Sequence, residues 1–380
     1  MPRVLVVAAH DTTIVQFLLP HIQRLEAMGM EVVLAYQPRM RIASQRIEAL
    51  GIARHEVAFA RTPLSLSNLR ALLQLRTVLR STHFDVVHVH MPVSGWIGRL
   101  AARLFSPGST VIYTVHGFRF YDGGPLLSNA LFIFLERIAG RWTHYLEVMN
   151  EEDARNARKY RIVPSDRVRC VPGVGVDVDE LSPARVSERQ VAAIRQELGL
   201  GDDDFLVTMV AAFLPRKRHS DALAALARLG EANVHLALAG DGPEMERVGA
   251  YSRQLRLANR VHFLGVRMDV PALMRASKAV ILPSQLEGLP RCITESLALE
   301  VPAIGSDIRG TRELLSEGCG VLVPVGNIDA LARAVHWVVT HPREAAEMAR
   351  LGRSKVEASY SLLRALNMTE CLYREVLSWE

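Results

Sequence analysis

Long apolar runs are missing from this chain. Among its 380 residues the longest candidate is the run 130–135, which ends at Glu136, whereas a helix that crosses a bilayer needs roughly 18 or more apolar residues. Residues 4–9 are too few for the apolar region of a signal peptide and are typical of a first strand. We therefore expect neither a transmembrane helix nor a secretory leader.

Cysteine is scarce as well. The chain has four, which are Cys170, Cys292, Cys319 and Cys371. None of them shows the Cys-x-x-Cys spacing of a zinc site, and their scatter argues against a disulfide framework. This usage indicates a reducing compartment, so we expect a cytoplasmic protein.

Convincing metal ligands are few. His88 and His90 lie on one face of a predicted strand, but their sequence neighbourhood does not complete a metal shell. Asp177 and Asp179 have the spacing of a carboxylate pair, but they fall in a linker and not at a strand end. We therefore predict that the protein requires no metal.

Basic runs interleaved with aromatic residues, which are typical of nucleic-acid-binding proteins, are also absent. The net charge is +5, but residues 1–172 carry 21 Lys and Arg against 13 Asp and Glu, about +8, which leaves about −3 for the remainder. This basic half is either an ordinary solvated surface or one that attracts an anionic membrane or a phosphate-bearing acceptor.

What the chain does have is a steady alternation of strands and helices. Short apolar runs alternate with amphipathic stretches as far as Pro172, and the pattern repeats after the Pro-Gly linker 171–177. This order predicts an α/β protein with two doubly wound parallel sheets. We predict domains at 1–172 and 173–358, followed by a helical segment at 359–380.

The N-terminal half places polar residues at three strand ends, where ligands of such sheets bind. The residues are His10 and Thr12 at the first strand end, His90 at the second, and His116 and Arg119 at the third. We expect His116 to face a cleft, although a histidine capped by backbone is the alternative. The apolar helix that follows, through Leu135, either touches lipid or is a buried core helix, and we expect the second.

In the C-terminal half the stretch 282–296 follows the apolar strand 279–282. Pro290 suits the first position of a helix, which places Glu287 and Gly288 in the turn and Glu295 about one turn into the helix. A helix N-terminus, a glycine and two carboxylates suit a ligand that has both phosphate and hydroxyl groups, as a sugar nucleotide does.

Other strand ends of the same half support this interpretation. The loop 211–219 carries Arg216, Lys217 and Arg218, and cations at a strand end form a natural phosphate site. The next two strands end at Gly240 and Gly265. Together, the basic loop, the glycine turn and the carboxylate stretch predict one binding site along the edge of a sheet.

These motifs also resemble those of a known family. Glu287 and Glu295, within Ser-x-x-Glu-Gly-Leu-Pro and Thr-Glu-Ser, resemble the signature of retaining glycosyltransferases with the GT-B fold, glycosyltransferase family 4 (glycosyl transferases group 1). In the N-terminal half, residues 85–90, 98–102 and 113–118 resemble motifs of the members that build capsular and exopolysaccharide repeat units on a lipid carrier.

The resemblance implies two Rossmann-like domains that face each other across a cleft. The N-terminal domain would bind the acceptor and the C-terminal domain the nucleotide sugar, while the last helix would cross back onto the N-terminal domain. The donor would be a nucleotide sugar, expected to be UDP-linked, and no cofactor would be needed. The acceptor would be a glycan or a polyprenyl-diphosphate-linked glycan at the inner face of the membrane.

The resemblance also implies roles for single residues. Glu287 would bind the donor sugar and Glu295 the ribose, while Lys217 would neutralise the departing diphosphate. The backbone N–H groups of Gly288, Leu289 and Arg291 would reach the sugar and the diphosphate. His116 would hold the sugar from the opposite domain.

One departure from the family pattern affects the phosphate loop. Ala212 stands where relatives commonly have an arginine, and Arg216 or Arg218 could replace it. Two other functions stay open beside a hexosyl or N-acetylhexosaminyl transferase. A sugar-nucleotide epimerase or hydrolase would use the same fold, and the missing arginine motivates the alternative of a non-catalytic sugar-nucleotide-binding subunit.

Overall fold

The computed structural model describes residues 1–60, 62 and 65–378. The chain forms two compact units. Unit 1 consists of Met1–Val174 and Leu363–Glu380, and unit 2 consists of Gly175–Leu362. Each unit has its own parallel sheet, so the prediction of an α/β protein with two doubly wound sheets is confirmed.

Within the described residues, unit 1 holds a seven-stranded sheet in the order β3-β2-β1-β4-β5-β6-β7. The strands are β1 Arg3–His10, β2 Glu31–Gln37, β3 Ala53–Glu56, β4 Val86–His90, β5 Thr110–Val115, β6 Tyr145–Val148 and β7 Val168–Cys170. The helices are α1 Asp11–Thr13, α2 Leu19–Ala27, α3 Arg41–Ala49, α4 Ser67–Ser81, α5 Pro92–Phe105, α6 Leu126–Gly140 and α7 Glu151–Lys159. A π-helical turn, Ile14–Leu18, joins α1 to α2.

The described part of unit 2 holds a six-stranded sheet in the order β10-β9-β8-β11-β12-β13. The strands are β8 Phe205–Val210, β9 Val234–Ala239, β10 Val261–Gly265, β11 Ala279–Leu282, β12 Ala303–Ser306 and β13 Val321–Val323. The helices are α8 Glu188–Glu197, α9 His219–Leu229, α10 Met245–Gln254, α11 Val270–Arg275, α12 Arg291–Ala298, α13 Thr311–Leu315, α14 Ile328–Thr340 and α15 Pro342–Ser359. The last helix, α16 Leu362–Leu377, adds Leu372 and Tyr373 to a core of unit 1.

Alternating strand residues divide unit 1 into two cores. Val4 and Val6 point to the side that α2 and α16 cover, whereas Leu5 and Val7 point to the side that α4, α5 and α6 cover. This period of two is the expected side-chain geometry of a strand with both faces buried.

Two predictions of local structure are wrong. We expected the apolar helix through Leu135 to be buried, but only the C-terminal end of α6 is buried, and Leu126, Leu127, Leu131 and Phe134 are exposed. Pro290 has extended backbone angles (φ −75°, ψ 111°) and is the N-cap, so α12 begins one residue later than predicted.

Candidate functional site

The sheet order of unit 2 places its binding edge between β8 and β11. The chain runs outward from β8 through β9 to β10 and then returns to β11 on the other side of β8. Loops that leave two such neighbouring strands diverge, and the crevice between them is where open parallel sheets bind ligands. The loop after β8 carries Lys217, and the loop after β11 carries Glu287.

Lys217 and Glu287 meet at this edge. The Lys217 Nζ atom lies 2.6 Å from Glu287 Oε1, and both side chains are largely buried. Arg216 donates to the carbonyl of Leu286 at 3.0 Å, and its Nη1 atom lies 3.5 Å from Glu287 Oε1. The backbone N–H of Gln285 donates to the carbonyl of Arg216 at 2.8 Å. The basic loop and the carboxylate stretch are therefore bonded together through backbone and side chains.

A third cation, Arg309, contacts the backbone of the stretch that carries Glu287. Arg309, between β12 and α13, is 4% exposed, and its Nε atom donates to the carbonyl of Glu287 at 3.0 Å. Arg309 was not among the predicted site residues. A basic residue directly before a glycine at a strand end was the available signal.

Gly310 allows the turn after β12 to contact the turn after β11. It has φ +48°, and a Cβ atom there would lie 1.8 Å from the carbonyl oxygen of Gly288. No side chain fits at this position without displacing the backbone next to Glu287.

We expect Gly310→Ala to lower the free energy of unfolding by at least about 2 kcal/mol, because it combines a positive φ with a backbone clash. Urea denaturation followed by circular dichroism measures this. Gly249→Ala is the matched control, since Gly249 lies in α10 and an added Cβ would come no nearer than 3.8 Å to Arg253. Equal stability of the two variants would contradict the proposed backbone contact.

Glu295 lies about one turn into α12, as predicted. Its carboxylate pairs with Arg291 at 2.7 Å. Burial raises the pKa of Glu295, and the pairing with Arg291 only partly offsets that increase. The N-cap Pro290 supplies no side-chain cap, and the first turn contains no acidic residue. The start of α12 therefore keeps the positive end of its dipole, which favours an anion.

The remaining donor-side candidates lie along the same edge. The N–H of Gly240, after β9, donates to the carbonyl of Gly265, the last residue of β10, at 2.7 Å. Arg218 pairs with Asp221 at 2.7 Å. Leu289 packs its side chain partly against the core of unit 2, while Gly288 lies beside Gly310.

Three buried hydroxyl groups also lie at this edge and were missed. The oxygen atoms of Ser284, Ser306 and Thr311 have no hydrogen-bond partner within the described residues. Ser284 follows β11, Ser306 ends β12, and Thr311 begins α13. Buried hydroxyls normally find partners, so these are candidates for hydrogen bonds to a ligand.

Unit 1 has its own reversal of strand order, between β1 and β4. His10 and His90 end these two strands, and Thr12 lies in α1, directly beyond β1. Between His10 and Thr12 lies Asp11, which the sequence analysis missed.

The Asp11 carboxylate is fully buried and fixes this loop. Its oxygens accept from the N–H groups of Thr12, Arg39 and Met40 at 2.7 to 2.9 Å and from the Ser44 hydroxyl at 2.8 Å. Burial raises the pKa of Asp11, but these hydrogen bonds outweigh it and the net pKa lies below its usual value. Asp11 therefore positions the acceptor-side candidates.

His90 and His116 line a cavity of about 40 Å³ inside unit 1, which is room for a water molecule. His90 stacks on His88 with ring centroids 4.2 Å apart, and its centroid lies 5.7 Å from that of His116. His90 Nδ1 and His116 Nε2 are buried without a partner in the described part of the chain. Arg119 lies on the loop before α6, and its side chain is exposed.

Both ring nitrogens of His88 are hydrogen-bonded to other side chains of unit 1. Its nitrogens lie 2.9 Å from the Tyr373 hydroxyl and 2.7 Å from the Thr114 hydroxyl, so neither is free for a metal. Glu147 accepts from Thr114 at 2.5 Å. Burial raises the pKa of Glu147, but the contacts with His88 and Thr114 outweigh it and the net pKa is lowered. Among the residues that the structure describes, no group of three or more His, Cys, Asp or Glu could hold a metal ion.

We expect the protein to lose stability on acidification. Burial lowers the pKa of His116 and of His219 to about 4, whereas the reference value is 6.5. Below about pH 6.5 the unfolded chain binds these protons and the folded chain does not. Each histidine therefore lowers the free energy of unfolding by up to about 1.4 kcal/mol per pH unit, until the pH reaches the pKa of that histidine in the folded protein. Thermal unfolding between about pH 7.5 and 5 tests this. A midpoint that rises on acidification would contradict it.

Two family models match successive parts of the chain. Residues 15–180 match the model described as Glycosyltransferase Family 4, and residues 190–355 match Glycosyl transferases group 1. The chain belongs to glycosyltransferase family 4. The resemblance to glycosyltransferase family 4 that the sequence motifs indicated is thereby confirmed.

Two relatives illustrate the membership. A putative glycosyltransferase of Bacillus subtilis, EpsD, is 29% identical over 98% of this chain and 96% of its own. The UDP-Gal:alpha-D-GlcNAc-diphosphoundecaprenol alpha-1,3-galactosyltransferase of Escherichia coli is 28% identical over 82% of this chain and 81% of its own.

Solved structures show the same fold. Anabaena HepE in complex with UDP and glucose has a TM-score of 0.82 at 19% identity and covers 98% of this chain and 100% of its own. WaaG, a glycosyltransferase involved in lipopolysaccharide biosynthesis, has a TM-score of 0.75 at 16% identity and covers 97% of this chain and 99% of its own. The prediction of the GT-B fold is confirmed.

Proposed function

We propose that this family 4 enzyme transfers a hexose or N-acetylhexosamine from a UDP-sugar to a polyprenyl-diphosphate-linked glycan, with retention of configuration and without a metal. The observation that carries the proposal is the contact between Lys217 and Glu287 at the strand reversal of unit 2. This contact places a cation that would bind a diphosphate beside a carboxylate that would bind sugar hydroxyls.

The donor side follows from the order of groups along the edge. Glu295 is held by Arg291 in α12, where its carboxylate can accept from both hydroxyls of a ribose. The start of α12 and Lys217 provide positive charge for the diphosphate. Glu287 then lies where the sugar begins. A UDP-linked donor is supported by the E. coli relative, which uses UDP-Gal, and by HepE, which binds UDP.

The chemistry needs positioning and charge stabilisation more than a protein nucleophile. In the proposed reaction an acceptor hydroxyl attacks the anomeric carbon from the face that the diphosphate leaves, and a phosphate oxygen takes its proton. Negative charge grows on the diphosphate as the glycosidic bond breaks, and Lys217 stabilises it. Glu287 orients the sugar by accepting hydrogen bonds from its hydroxyl groups.

The acceptor is assigned to the loop edge of unit 1. His10, Thr12 and His90 lie together at its strand reversal, and exposed Arg119 adds a cation suited to a diphosphate. The E. coli relative acts on a diphosphoundecaprenol-linked sugar, and WaaG takes part in lipopolysaccharide biosynthesis. We therefore propose a role in cell-surface polysaccharide synthesis at the inner membrane face.

A donor screen tests the proposal. Purified protein is incubated with each nucleotide sugar, with and without a polyprenyl-diphosphate-linked acceptor, and nucleotide release is measured in the presence of a chelator. We expect release from a UDP-sugar only when acceptor is present. Isomerisation or hydrolysis without acceptor would support the epimerase or hydrolase instead. If neither occurs but UDP binds, the chain acts as the binding subunit.

A further inference from the structure

Three neighbouring helices on one side of unit 1 contain almost no acidic residue. α4, α5 and α6 pack on the same side of the sheet, and α5 contacts both of the others. Their only acidic residue is Glu136, which is buried and paired with the buried Arg99 at 2.9 Å. The solvent side of these helices therefore presents no carboxylate.

The same side is rich in arginine. Six exposed arginines lie on these helices or directly after them, at Arg70, Arg76, Arg80, Arg103, Arg137 and Arg141. None of the six has a carboxylate partner within the described residues. The opposite side of the sheet differs, since Arg24 of α2 pairs with Glu370 of α16 at 2.6 Å. Exposed arginines without a carboxylate partner produce a positive field that attracts an external anion.

Apolar side chains are exposed between these arginines. On α6, Leu127, Leu131 and Phe134 are 89%, 54% and 60% exposed, and their helical spacing forms one stripe. On α4, Leu69 and Leu73 form a second stripe. A single exposed leucine is ordinary, but apolar stripes on both helices that flank α5 mark an interaction surface. We call the six arginines and these two stripes the arginine–leucine face.

The face lies beside the proposed acceptor edge. α6 follows β5, so it starts at the carboxyl edge of the sheet, and the loop from His116 leads directly to Leu126. α4 follows β3 and starts at the same edge. The apolar stripes occupy the parts of both helices nearer this edge, and Arg76, Arg80, Arg137 and Arg141 lie toward the opposite ends.

We propose that the arginine–leucine face docks unit 1 on an anionic lipid bilayer. Leucines and phenylalanine would enter the headgroup boundary, as in amphipathic helices that lie in a membrane surface, and the arginines would contact lipid phosphates. No helix among the described residues is long and apolar enough to cross a membrane. The inference rests on the proposed function in one respect, because a lipid-linked acceptor would be met at that surface.

The test measures vesicle binding, which does not depend on transfer. Full-length protein is sedimented with vesicles of phosphatidylglycerol and phosphatidylcholine in about equal parts, and with pure phosphatidylcholine, at low and high salt. Variant one is R70E/R137E, and variant two is L127S/L131S/F134S. The control is R333E/R343E, which changes the net charge equally on exposed residues of unit 2. Thermal unfolding checks that each variant is folded.

We expect binding only to the anionic vesicles, weaker at high salt, with each face variant at least about tenfold weaker and the control unchanged. Three results would overturn the proposal. They are no binding to anionic vesicles, equal loss in the control, or a dimer of the wild-type chain that both face variants dissociate. Transfer activity without vesicle binding would contradict the membrane-docking proposal but not the proposed function. Vesicle binding without transfer would contradict the proposed function but not the docking proposal.

Discussion

Replacing Glu287 by Gln is expected to lower kcat/KM by about 10²- to 10³-fold, the usual effect of removing one preorganised polar contact in an active site. Gln has the same shape but only one accepting oxygen. Its amide group would also place a donor beside the Lys217 ammonium group, which lies 2.6 Å from the carboxylate. Gln is preferable to Ala, since Ala would leave Lys217, 13% exposed, without its carboxylate. Steady-state nucleotide release measures the change.

Two further measurements separate the role of Glu287 from a loss of structure. Calorimetric titration with UDP should give an unchanged affinity, because Glu287 is assigned to the sugar and not to the nucleotide, whereas affinity for the UDP-sugar should fall. Glu347→Gln, on the exposed side of α15, is the control and should match wild type. An E287Q enzyme within about threefold of wild type would refute the assignment.

The sequence predicted the C-terminal half of the fold well, because its signals are local. A buried parallel strand is a short apolar run, and a turn with Gly and Pro ends it, so residues 279–282 and the position of Glu287 followed directly. The contact between Lys217 and Glu287 did not follow from spacing. It depends on β11 returning beside β8, which is a property of strand order that only the whole sheet determines.

The N-terminal half shows where local signals fail. Apolar composition alone predicted that the helix through Leu135 is buried, but burial depends on which side of the helix meets the sheet. Phe132 and Ile133 pack toward the core, while Leu131 and Phe134 do not. Asp11 was missed for a similar reason, since its partners at 39–44 are distant in sequence.

Replacing Lys217 by Ala is the second variant for which a large effect is expected, about 10²-fold or more in kcat with a smaller change in KM. Charge on the diphosphate increases as the bond to the sugar breaks, so a cation beside it stabilises the transition state more than the bound donor. The neighbouring His219 cannot substitute, because burial lowers its pKa to about 4 and leaves it neutral. Lys217→Arg should recover part of the activity, because arginine restores the positive charge but its guanidinium group differs from the lysine ammonium group in shape and position.

The same kinetics decide which arginine replaces the one that family relatives have at the position of Ala212. Arg216 lies 3.5 Å from Glu287, beside the proposed diphosphate, whereas Arg218 is engaged by Asp221. Arg216→Ala should therefore lower kcat/KM by about tenfold and Arg218→Ala by less, with Arg228→Ala on the exposed surface as the control. The opposite order would move the phosphate contact to Arg218.

For Lys217→Ala, the contradicting outcome is a change in KM with kcat unchanged. It would show that the lysine binds the donor and the transition state equally, and it would refute the leaving-group role.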